Sequence, residues 1–156
     1  MHPLTMGILI ALQCLAVLFV GLHNWIPLGP LSDLPAIREE FPGSKLVTTT
    51  LINFTPVAIG LTASILTFRR GFPEWLFWWL WINYGIACYG SLRAWWIPYL
   101  FRAEPERAAR NEKLYGKTHA FLPKRNGTRP NTLHVYFDVL TIAIIITLAV
   151  LTAQSR

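Results

Sequence analysis

Six polar residues able to do chemistry lie inside, or at the edge of, long apolar runs: His23, Asn24, Asn53, Arg93, His134 and Asp138. Such groups are costly in hydrocarbon, and their presence there marks a binding site or a buried pairing. His134 and Asp138 are four residues apart and would share one face of a helix. Arg93 and Asp138 are the charged residues set within apolar runs rather than at their edges. An aspartate beside an arginine is far cheaper to bury than one alone, so the sequence predicts that these two pair. Two imidazoles and a carboxylate can also hold a transition metal with open positions. His23, His134 and Asp138, with His119 as a loop substitute, would form that set. A membrane-embedded enzyme is therefore one alternative, although the chain has no HExxH, multi-histidine box or GxSxG motif. No cofactor is expected.

The elements that must position these residues are membrane helices. The 156-residue chain is 53% hydrophobic and only 14% charged, whereas a soluble domain is closer to a quarter charged. About 20 mostly apolar residues cross the ~30 Å hydrocarbon core as a helix. Four stretches qualify, at about residues 4–22, 46–68, 75–100 and 132–152. The first has no Lys or Arg before its apolar run and no small-residue cleavage site at its end, so it reads as a retained span rather than a signal peptide. In the third, Trp75, Trp78, Trp79 and Trp81 crowd one end and Trp95, Trp96 and Tyr99 the other. Tryptophan favours both membrane interfaces, and the rise from Trp75 to Trp95 is about 30 Å.

Four spans place both termini on one side and the first and third loops on the other. Eleven of the fourteen lysines and arginines belong to the loop side: Arg38, Lys45 and the nine from Arg93 to Arg129. The positive-inside rule then makes the long loops cytoplasmic and the termini external, in the cell membrane. Arg69 and Arg70, in the tight second turn, oppose this assignment.

Measured from the loop side, all six polar residues fall within about one helical turn of a common depth. The expected architecture is an all-α integral membrane protein, a single domain over 1–156. It is a four-transmembrane-helix bundle with a short amphipathic helix in its third, cytoplasmic loop (101–131). That helix should start at Glu104-Pro105-Glu106 and stop at Gly116, and Asn131 should cap the fourth span. Asp33 to Phe41 should form another short helix in the first loop.

The corresponding function is binding or transport of a small ligand, ion or lipid at the polar cluster. An enzyme, or a structural or accessory subunit of a membrane complex, are the alternatives. Expected partners are the bilayer, anionic lipids at the basic loop, and a second copy or another membrane subunit. No nucleic-acid reader or phosphate loop is present in the sequence, and no nucleic acid is expected. Cys14 and Cys88 lie in apolar runs without CxxC spacing and read as small buried hydrophobes.

Overall fold

A computed structural model of the chain describes residues 2–155, and among these it is helical with no β-strand. Helix α1 (Pro3–Leu22) starts on a proline, which is tolerated where the first N–H groups have no helical acceptor. The first loop carries the short helix α2 (Leu34–Glu40), whose Ala36 N–H is accepted by the Asp33 side chain. Helix α3 (Ser44–Thr67) and helix α4 (Glu74–Ser91) are joined by a tight turn in which Gly71 has φ +83°. A π-helical turn, Leu92–Trp96, continues α4 into the short α5 (Ile97–Leu100). Helix α6 (Pro105–Tyr115) lies in the third loop, and α7 (Thr132–Gln154) completes the chain.

Helices α1, α3, α4 and α7 pack as a ring, with α1 against α3 and α7, and α4 against α3 and α7. Inside it, Leu9, Leu76, Leu80, Ile144, Leu148 and Leu151 are fully buried. The ring closes tightly where α3 meets α4. A Cβ added to Gly60 would stand 2.9 Å from the end of the Leu80 side chain, which would have to shift to admit it. Pro56 interrupts the hydrogen bonding of α3, and the Trp79 indole N–H of α4 donates to the Pro56 carbonyl at 3.1 Å. Outward faces are mostly apolar, with Ile52, Leu66, Trp78, Ile86 and Val139 among the exposed residues, although α3 also exposes Thr48, Asn53, Thr55 and Thr62.

Helices α1, α3 and α7 are each long and apolar enough to cross a membrane. This composition is compatible with a membrane location. The segment from Glu74 to Leu100 is helical as well, but it changes hydrogen-bond register at the π-turn and carries many Trp and Tyr residues.

The first and third loops form one folded cap over an end of the ring. Ile37 of α2, Leu114 of α6 and Leu46 of α3 make a second, smaller apolar core, with Leu34, Phe41 and Tyr115 packed around it. Arg110 pairs with Glu40 at 3.0 Å and Lys113 with Glu39 at 2.8 Å across the same contact. Backbone bonds complete the join: the His119 N–H donates to the Pro30 carbonyl at 2.6 Å, and the Thr132 N–H donates to the His119 carbonyl at 3.0 Å.

Candidate functional site

The site sits where the cap meets the ring. At the end of α1, the His23 ring stacks on Phe19 at 4.5 Å, and its Nδ1 lies 2.8 Å from the Phe19 carbonyl. A carbonyl oxygen can only accept, so His23 carries its proton on Nδ1 and Nε2 remains an acceptor. Phe19 in turn stacks on Phe137 of α7 at 4.5 Å, which fixes the two helices side by side at this depth.

On α7 the cap residue Asn131 is 1% exposed, and its Oδ1 accepts from the His134 backbone N–H at 3.0 Å. The same oxygen accepts from His134 Nδ1, so this imidazole too is left with Nε2 as its acceptor. The His134 ring is enclosed by aromatic side chains, with Trp95 at 4.8 Å, Tyr115 at 5.1 Å and His23 at 6.2 Å between centroids. His23, Asn24, Ser32, Tyr115, Asn131 and His134 line a cavity of about 10 Å³, about the space one water molecule needs. Burial holds the His23 imidazole below its ordinary value and pushes the Tyr115 phenol up.

One turn deeper on α7 lies Asp138, which is 8% exposed. Its Oδ1 accepts from the Ser91 hydroxyl, and its Oδ2 accepts from the Trp96 indole N–H at 2.8 Å. Ser91 is the last residue of α4 and Trp96 the last of the π-turn that follows it. An α-helix advances about 100° per residue, so residues five apart would diverge by about 140°. An i→i+5 turn brings them back to one face. The π-turn is therefore what allows Ser91 and Trp96 to grip the same carboxylate.

That geometry overturns the expected ion pair. Arg93 lies within the π-turn and is exposed, its carbonyl accepts from the Arg107 guanidinium at 3.0 Å, and Asp138 has no ion-pair partner among the described residues. Asn53 also falls outside the cluster: it is exposed on α3, and its side-chain N–H donates to the Thr49 carbonyl of its own helix at 2.8 Å. His23, Asn24 and His134 do meet around one cavity, with Asp138 below them. His119 belongs to the cap, its Nδ1 lying 2.8 Å from the Thr132 hydroxyl. No three His, Cys, Asp or Glu side chains among the described residues are placed to hold a metal ion.

Sequence reasoning missed Ser91, Trp95, Trp96, Asn131 and Tyr115 as members of the site. Asn131 was legible as a helix cap. The tryptophans looked like interfacial anchors, and nothing local marks a π-turn.

A second polar pair lies deeper in the ring, where the Gln13 side-chain N–H donates to the Ser64 hydroxyl at 3.1 Å. No protein-family model matches the chain, and no curated protein or solved structure is significantly similar to it.

Proposed function

We propose that this chain crosses the membrane four times and binds a small cation in the loop-side half of its bundle. The observation that carries the reading is Asp138: a carboxylate buried between α4 and α7 with hydrogen-bond donors but no cationic partner. An uncompensated charge in an apolar interior is costly, and binding a cation relieves that cost. The cavity between His23, Asn24 and His134, which Asp138 itself does not line, is about 10 Å³ and supports a water-sized guest over an organic ligand at that level.

The fourth span in this reading is the segment from Glu74 to Leu100. Its 27 residues would rise about 40 Å, enough to cross even with a tilt. The docked loops and their excess of lysine and arginine favour a cytoplasmic cap and external termini, in the cell membrane. Arg38, Arg93, Arg102, Lys117 and Arg125 are exposed and make no ion pair among the described residues. They would be available to anionic lipid headgroups. Transport across the whole bilayer would require a second copy or a partner subunit, because the centre of the ring is filled with side chains.

The test is gradient-driven flux of H⁺, Na⁺ and K⁺ into vesicles holding the purified protein. We expect flux of one of these cations, lost in Asp138→Asn. Flux no greater than in empty vesicles for all three would remove transport, and a melting temperature that also answers to none of the three cations would overturn the reading. The chain would then be a structural or accessory subunit in which Asp138 only ties α7 to α4, a role its two bonds to Ser91 and Trp96 also fit.

A further inference from the structure

The chemistry of the two donors on Asp138 goes further and names the ion. We propose that Asp138 Oδ1 is a reversible proton-binding atom, with Ser91 as the hydroxyl that reverses its hydrogen bond when the proton arrives. The inference rests on the reading of this cluster as a cation site and narrows it to the proton.

The two oxygens of Asp138 are not equivalent. Oδ2 accepts from Trp96 Nε1, and an indole N–H can only donate, so Oδ2 is an acceptor in every state of the site. Oδ1 faces a hydroxyl, which can donate or accept. In the ionised state the Ser91 hydroxyl donates to Oδ1. One proton added to Oδ1 takes the side chain from charge −1 to neutral, and the new O–H donates to Ser91 Oγ. Ser91 then turns its own hydrogen onto the Ala87 carbonyl four residues earlier, the ordinary alternative for a helical serine. Five hydroxyls of this protein already make that bond, on Ser64, Thr67, Thr141, Thr147 and Thr152. Ser91 rotates about its Cα–Cβ bond to make this contact, and no group other than the proton is consumed or released.

The surroundings favour a proton over a metal cation. Na⁺, K⁺ or a divalent ion needs several oxygen ligands, whereas Asp138 is met by one hydroxyl and one indole N–H, beside stacked Phe19 and Phe137. The titratable or charged groups on the elements packed around this half of α7 are His134 and Tyr136 on α7 itself, His23 after α1, Tyr84, Cys88 and Tyr89 on α4, Arg93 in the π-turn, Tyr99 on α5 and Tyr115 on α6. None of them makes a hydrogen bond or ion pair to the carboxylate among the described residues.

Infrared spectroscopy of the purified protein in vesicles, titrated from mildly alkaline to mildly acidic pH, tests the proposal. A carboxylic C=O stretch should grow as pH falls and be missing from Asp138→Asn. In Ser91→Ala the band should move, and its midpoint should rise by about one pH unit, because a hydrogen bond to the charged form is lost. Circular dichroism checks that each variant remains helical. Overturning results are the absence of any titrating carboxyl band in the wild type, or a band that Ser91→Ala leaves unchanged. A titrating, Ser91-sensitive band without cation flux would sustain the proton site and remove transport. Flux lost in Asp138→Asn without such a band would do the reverse.

Discussion

The two ends of the tryptophan-rich segment use the same residue for opposite purposes. At its start, Trp75 and Trp78 stand 54% and 62% exposed, on the outside of the ring. At its end, Trp95 is 6% exposed against His134 and Tyr115, and Trp96 donates its indole N–H to Asp138. Tryptophan joins a large apolar body to a single N–H donor, so it suits either an interface with water or a buried acceptor. The local backbone decides between them. The first pair lies on a regular α-helix and follows its outward face. The second lies in the π-turn, which rotates both rings toward α7 and the cap.

Substitutions can break this contrast, and the largest effect belongs to Trp95. Trp95→Ala should cost about 3–5 kcal/mol of folding stability through the void it leaves, whereas Trp78→Ala should fall within about 0.5 kcal/mol of wild type. Denaturant titration in detergent micelles, followed by circular dichroism, measures both; equal losses would remove the distinction.

A finer comparison sets Trp96 against Trp79, each of which makes one hydrogen bond. Trp96→Phe should cost about 1.5–3 kcal/mol, because its acceptor is a carboxylate. Trp79→Phe removes a bond to a neutral carbonyl and should cost about 0.5–1.5 kcal/mol. The reverse order would mean that Asp138 is uncharged in the resting protein.

Acid adds a further contrast between cap and ring. The His23 imidazole, just beyond α1, is held below its ordinary value of 6.5 by burial. Below pH 6.5 the unfolded chain therefore takes up a proton that the folded one refuses, and stability falls as pH falls toward the folded value. The slope from this one group is at most about 1.4 kcal/mol per pH unit. It should appear in the difference between wild-type and His23→Gln melting curves; parallel curves would show that His23 does not contribute.

Smallest of all is the half-exposed Arg110–Glu40 pair between α2 and α6. Glu40→Gln should cost about 0.2–1 kcal/mol at low salt, and raising the salt should shrink that difference. The apolar contact of Ile37 with Leu114 would keep the cap closed. Limited proteolysis of the loops, unchanged by the substitution, would confirm that apolar packing holds it.

How much of this was legible beforehand depends on the range of the interaction. The apolar runs of α1, α3 and α7 announce themselves, because a helix that meets lipid must be apolar along its whole length. Caps are equally local, as at Asn131 and Asp33, where a side chain bonds a backbone N–H three residues on. Depth along a helix follows from counting residues, and counting brought His23, Asn24, His134 and Asp138 toward one level.

Direction around the helix axis does not follow from counting. Arg93 and Asn53 have about the right depth, yet both face outward, whereas Ser91 and Trp96 reach Asp138. The sequence by itself determined the apolar helices, their caps and the crowding of polar groups toward one end, all of which depend on neighbours within a few residues. Tertiary structure alone decided which groups meet. The π-turn changes the angular register of every later residue on its segment. The cap brings Tyr115 and Ile37 together from loops that are remote in sequence, because their apolar faces are buried against each other and against the end of the ring at Leu46, Trp95 and His134.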